Sequence, residues 1–328
     1  MHLHRLLRSL VVTVLVASTL PVMAGKKKPD APKAMPPGLP QHQLWKINTR
    51  QLPAYDIRQS NVGKWTYEFF EDGLWTTSSK QAFDQGREIP TCLVVHGSPA
   101  SDEFVMGLSM DVYYSLSSFL GPSKEIRIVI WSWPADKMHA SLIKDFRDQT
   151  IRGERQGYYL AHFVDEMRAA CPVMVVGYSM GARTASAALQ LIAGGRVEAT
   201  PAFTATASNT QPIIGVLVAG AIDTNWLLPG NRYDRVVGQT EHFLVTVNSR
   251  DPILLRYPRL YGSKKAIQQS IGLRGIANRT ALSENEAHYT QIDITQAAGA
   301  THDIRSITRS RPLLEKISKF TFDPLLKK

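Results

Sequence analysis

An α/β fold organised on one mostly parallel sheet of about eight strands, with helices on both faces, is what this sequence predicts. Three observations lead there. Short, almost wholly apolar runs recur along the chain, among them Thr91 to Val95, Ile126 to Ile130, Val173 to Val176 and Ile213 to Ala219; they are too apolar for strands with one wet face and too short for buried helices. Segments of helical composition separate them. One junction, Pro172-Val-Met-Val-Val-Gly-Tyr-Ser-Met-Gly-Ala-Arg183, reads as strand, sharp turn and helix, with Gly177 and Gly181 lacking a Cβ on either side of Ser179.

Taken in order, residues 1–24 read as a secretory signal peptide. Arg5 and Arg8 give a basic start, Leu10 to Leu20 an uncharged apolar stretch shorter than the ~20 residues of a membrane span, and Val22-Met-Ala24 a small-residue cleavage site. Export, to a bacterial periplasm or beyond, is the expected localisation. Residues 25–43, rich in Lys and Pro, read as an extended linker, and a single folded domain is expected over 44–328. Strands at Trp45 to Leu52, Lys64 to Phe70 and Trp75 to Thr77 are expected to form an antiparallel edge, with a turn at Asp72-Gly73.

The strand Thr91 to Val95 leads through His96-Gly-Ser-Pro-Ala-Ser101 into a helix over Asp102 to Leu120, with Phe104, Leu108, Met110, Val112 and Leu116 inward. The strand Ile126 to Ile130 ends in Trp131-Ser-Trp-Pro134, and a long amphipathic helix over Arg147 to Ala170 precedes Val173. Gly194 to Pro212 lacks periodicity and reads as a surface loop. Strands over His242 to Val247 and Tyr289 to Thr295 come last, before a closing helix from Ile304 to Phe320.

The formal net charge is +10, of which the signal peptide carries two, leaving +8 partly on Lys26, Lys27, Lys28 and Lys33. No basic stripe is interleaved with aromatics, so nucleic acid is not an implied partner; weak contact with an anionic envelope surface fits the charge. Cys92 and Cys171 are too few and too far apart for a zinc site, and nothing calls for a metal or organic cofactor. Two buried thiols or one bridge are both open to them.

A serine hydroxyl is a poor nucleophile until a base takes its proton and donors receive the oxyanion. On a strand-to-helix turn the Ser179 Oγ stands clear of the sheet, with the Met180 backbone N–H beside it at the helix start. In open parallel sheets, sites lie beyond the carboxyl ends of the strands. Of the nine histidines, three follow Ser179, and His242 and His288 precede their strands. His302, after the last strand, is the candidate base. The orienting acid is expected at Asp251, after the strand His242 to Val247, with Asp223 as its rival. The loop after Val95 supplies the second oxyanion donor, the Ser98 N–H, next to a Ser98-Pro99 bond that could be cis. His96 reads as structural.

Together the Gly177 to Gly181 turn, the His96-Gly-Ser-Pro loop, and an acid and a histidine after successive late strands resemble the α/β-hydrolase superfamily over Leu44 to the C-terminus. Within it, Val94-Val-His-Gly97, Ser132-Trp-Pro134 and Ser179-Met-Gly181 are similar to a bacterial α/β-hydrolase family of unassigned function, in which the serine usually follows histidine; here Tyr178 stands there. The resemblance implies hydrolysis of an ester, thioester or amide through an acyl-enzyme without a cofactor, and it would set the strands of Cys92 and Cys171 side by side. It also admits non-catalytic binding proteins, peptidases and acyltransferases. Lids in this fold are commonly inserted after the strand ending here near Asp223. Thr224 to Glu241 is too short for a large one, so little or no cap is expected, with Trp226 to Leu228 as a small apolar flap. Trp131, Trp133, Tyr178 and Trp226 are candidate walls of a pocket for a small-molecule ester with an apolar acyl group. The oligomeric state is not readable.

Overall fold

The computed structural model describes residues 42–122, 125–208, 210–260 and 269–327; the expected signal peptide at 1–24 and nearly all of the expected linker lie outside them. The chain is α/β. Among the described residues nine strands make one sheet: β1 Gln43–Asn48, β2 Thr66–Glu71, β3 Leu74–Ser78, β4 Thr91–Val95, β5 Arg127–Ser132, β6 Val173–Tyr178, β7 Ile213–Val218, β8 His242–Val247 and β9 Tyr289–Asp293. Their order is β3-β2-β1-β5-β4-β6-β7-β8-β9. From β1 across to β9 every pair is parallel. The expected antiparallel edge is therefore smaller than anticipated: β2 alone runs against its neighbours, and β1 lies parallel to β5, with Trp45 opposite Val129.

Four longer helices are α1 Asp102–Leu120, α2 Leu142–Met167, α3 Gly181–Ile192 and α4 Arg311–Ser318. Ser101 caps α1 by accepting from the Phe104 N–H, and Asp102 and Glu103 sit in its first turn, where the helix dipole favours negative charge. The buried stripe of α1 is Val105, Leu108, Val112 and Leu116, at helical spacing; Phe104, expected inward, is 48% exposed. The closing helix expected from Ile304 to Phe320 is broken into Arg305–Thr308, α4 and Phe322–Leu325. Pro312 explains one break. Lacking an N–H, it is tolerated in the first turn of a new helix but not inside a continuous one.

Strand alternation assigns the helices to opposite faces of the sheet. Cys92, Val94, Met174, Val176, Val216 and Val218 share one side with α1, α4 and the Ile304–Ile307 turn. On the other parity Gly177 faces α3, and a Cβ there would stand 2.7 Å from the Ala182 Cα. Helix α2 reaches α3 by the same means: a Cβ on Gly157 would meet Ala187 Cβ at 2.5 Å, and the Thr184 hydroxyl donates to the Gly153 carbonyl at 2.7 Å. The helix that follows Ser179 is thus fixed from both sides.

Cys92 and Cys171 are free, buried thiols, and the β4–β6 register sets Cys92 opposite Met174. Cys171 turns its Sγ to the Thr91 hydroxyl. Burial pushes Cys92 up to about 12 and raises Cys171 as well, so neither thiolate forms at neutral pH. Titration with a thiol-reactive disulfide dye at pH 8 is expected to find both thiols silent in the native protein and two reactive ones after denaturation. Fast labelling of the native protein would contradict this packing.

Candidate active site

Three side chains from distant parts of the chain meet beyond the carboxyl ends of β6, β8 and β9. Ser179 follows β6, Asp251 follows β8, and His302 follows β9. The His302 Nε2 lies 2.8 Å from the Ser179 Oγ, and its Nδ1 lies 2.7 Å from the Asp251 Oδ2. Asp251 is fully buried, and its other oxygen accepts the N–H groups of Ile253 at 2.9 Å and Leu254 at 3.0 Å. One carboxylate oxygen is spent on fixing its own turn, and the other aims at the imidazole. In this state Nδ1 carries the proton, and Nε2 is free to accept one from the hydroxyl.

Ser179 has φ = 54°, a left-handed conformation that costs a non-glycine residue ~1 kcal/mol. Neighbouring backbone holds it there: its N–H donates to the Val218 carbonyl at 2.9 Å, and its carbonyl accepts from Ala221 at 3.0 Å and Ala182 at 3.1 Å. Two glycines allow the loops to close around it. A Cβ on Gly97 would sit 2.9 Å from the Ser179 Cβ, and one on Gly181 would strike the Val95 carbonyl oxygen at 2.2 Å. They draw the loop bearing the Ser98 amide and the turn bearing the Met180 amide together beside the hydroxyl. Among the described residues, neither of these N–H groups donates to a protein acceptor, and the Ser98 hydroxyl is buried without a partner. The Ser98-Pro99 peptide is cis.

Beneath this loop, His96 is buried and used at both nitrogens. Its Nδ1 donates to the Gly97 carbonyl at 2.7 Å and its Nε2 accepts from the Trp133 N–H at 3.3 Å. Burial lowers it to about 3, so it stays neutral, as a structural histidine should. Asp223, the rival acid, accepts instead from the Tyr257 hydroxyl, which in turn accepts from the buried Arg183 at 3.0 Å.

The expected aromatic pocket needs correction. Trp131 is fully buried among Trp65 and Phe163, and Trp133 stacks on His96 with its Nε1 donating to the His96 carbonyl at 2.9 Å. Both serve the core: alternation at the end of β5 turns Trp131 toward Phe163 of α2, and Trp133 packs against His96. Trp226 is partly buried between the guanidinium groups of Arg183 and Arg232. Leu227 is fully buried, and Arg232 and Asp234 tie the segment to Glu154 and Gln190 of the underlying helices, so Trp226 to Leu228 is a packed wall rather than a flap.

Tyr178 is not an open wall either: its hydroxyl donates to the His302 carbonyl at 2.9 Å, with its ring 5.6 Å from the imidazole. A second support was not anticipated from the sequence. Asn248, at the end of β8, donates to the carbonyls of Gly299 at 2.9 Å and Thr301 at 3.0 Å, on the loop that carries His302. Its sequence signal is slight: a carboxamide three residues before the acid. Each of these bonds is worth ~1 kcal/mol or somewhat more to a correctly placed imidazole. Were this cluster to hydrolyse esters, Tyr178→Phe and Asn248→Ala would each lower kcat about tenfold with KM little changed in a steady-state assay; a rise in KM alone would contradict a role in placing His302.

A void of about 10 Å³ between Thr246, Asn248, Asp251 and Ser306 holds at most one water. Ser179 is 4% exposed and the His302 side chain 17% exposed. A larger cavity of about 440 Å³, between Trp65, His162 and Thr206, includes no residue of this cluster. Among the described residues no group of three or more His, Cys, Asp or Glu is placed to hold a metal ion. Compared with family models, curated proteins and solved structures, the chain matches none of them.

Proposed function

We propose that this protein is an exported serine hydrolase of the α/β-hydrolase superfamily that cleaves carboxylic esters or thioesters through an acyl-enzyme on Ser179. The observation that carries the reading is the unbroken relay from Asp251 through His302 to Ser179 at 2.7 and 2.8 Å, with the serine strained on a strand-to-helix turn. In this scheme Nε2 of His302 takes the hydroxyl proton as Oγ bonds to the carbonyl carbon. The oxygen's new charge falls to the Met180 and Ser98 N–H groups. The tetrahedral intermediate expels the alcohol, which leaves with the proton from Nε2, and water repeats the cycle to release the acid.

The low exposure of Ser179 favours a second reading, a catalytically silent scaffold that binds but does not turn over. A panel of p-nitrophenyl esters from acetate to decanoate separates them. The hydrolase reading expects saturable turnover that a fluorophosphonate abolishes, and the silent scaffold expects neither. Turnover that persists after complete fluorophosphonate treatment would also defeat the proposal.

A further inference from the structure

The loop after β5 and the first turns of α2 carry side chains that a water-soluble surface ordinarily keeps inside. Met138, Leu142 and Ile143 are 37%, 47% and 45% exposed, and Ile151, two turns beyond Ile143, is 44% exposed. Tyr55, 43% exposed, joins them, its hydroxyl 3.7 Å from the Met138 sulfur. Single exposed apolar residues are ordinary, but here Tyr55 meets Met138, Leu142 opens α2, and Ile143 and Ile151 share one face of it. The scaffold below is rigid. Asp145 is buried and accepts the N–H groups of Met138 at 2.6 Å and His139 at 2.9 Å, while Ser141 caps α2. The patch is therefore presented by a built turn.

The exposed charges around it that lack an ion-pair partner are cations. Lys137, Lys144 and Arg147 are exposed, and among the described residues none of them is in an ion pair. The acids nearby are all engaged: Asp136 with Arg50, Asp148 with His139, and Asp145 with backbone N–H groups. Exposed apolar side chains ringed by unpaired cations are the chemistry that an anionic lipid surface meets, with hydrocarbon below the headgroups and phosphates among them. A protein partner of matching chemistry would need a hydrophobic, acidic face, and nothing in the molecule points to one.

We infer that the face formed by Tyr55, Met138, Leu142, Ile143 and Ile151, with Lys137, Lys144 and Arg147, docks this protein on an anionic phospholipid surface. The loop 133–141 follows the carboxyl end of β5, on the same rim of the sheet as Ser179, so docking here sets that rim toward the lipid. The inference rests on the hydrolase reading only for its consequence, that the ester is one carried at a membrane surface; the docking itself does not depend on catalysis.

The test is co-sedimentation of the full chain with vesicles of phosphatidylglycerol and phosphatidylcholine in equal parts, beside vesicles of phosphatidylcholine alone. Binding to the anionic vesicles is expected to exceed binding to the neutral ones and to weaken with salt. The double variant Leu142→Ser/Ile143→Ser is expected to lose ~10-fold in partitioning at unchanged salt dependence, from the apolar area it removes. Lys144→Gln/Arg147→Gln is expected to lose a similar factor at low salt only. Equal binding by wild type and both variants would assign the lipid affinity to the lysines before residue 34 and overturn the inference, as would absence of binding to either vesicle. Because both variants leave Ser179, His302 and Asp251 intact, fluorophosphonate labelling in solution is expected to match wild type. Labelling that fails in all three proteins while vesicle binding survives would defeat the hydrolase reading and leave the docking face standing.

Discussion

Replacing Ser179 with alanine is expected to lower ester hydrolysis by ~10⁵- to 10⁶-fold while leaving the fold and its thermal midpoint nearly unchanged. The size follows from what the hydroxyl does in the proposed mechanism. Without Oγ no acyl-enzyme forms, and His302 is left to act on water with the donors of Met180 and Ser98 still in place; those account for the residual rate. The small stability change follows from the backbone. Alanine keeps the left-handed strain at φ = 54° and loses only the 2.8 Å bond to His302. His302→Ala should fall to a similar rate, and the double variant little further, because the two act as a unit. Additive losses in the double variant would mean that serine and histidine do not share one step.

Asp251→Asn is the second large effect, a drop in kcat of ~10⁴-fold with substrate binding little altered. An amide oxygen could still accept from Ile253 and Leu254, as the carboxylate does at 2.9 and 3.0 Å, so the turn survives. The amide NH₂ would then face Nδ1 of His302. An imidazole meeting a donor at Nδ1 moves its proton to Nε2, where it can no longer take the serine's. Asp223→Asn tests the assignment by contrast. Its partner is Tyr257, and no bond joins it to the imidazole, so activity within a fewfold of wild type is expected. A loss at Asp223 as large as that at Asp251 would reverse the roles of the two acids.

The rim of the sheet was legible in the sequence because each element there announces itself locally. Gly177 and Gly181 are demanded by close approach to Ala182 and to the Val95 carbonyl, and Asp251 and His302 could be found by asking which polar residues follow late strands rather than precede them. The direction of β1 was not legible, because an alternating strand looks the same whichever way its neighbour runs. Phe104 misled for a related reason: hydrophobicity at one edge of a helical stripe does not say which edge is buried. Trp131 and Trp133 lie at the carboxyl end of β5, where a pocket wall and a buried prop have the same sequence position, and only their contacts with Phe163 and His96 tell them apart. Asn248 escaped because its role depends on where a loop fifty residues away comes to rest.

The most direct measurement of the central claim is the intact mass of the purified protein after fluorophosphonate treatment, followed by peptide mapping. One adduct, on the Ser179 hydroxyl, formed by the wild type and missing in His302→Ala, is the predicted result. A wild type that stays unmodified with its native circular dichroism intact, or an adduct carried on any other residue, would contradict it.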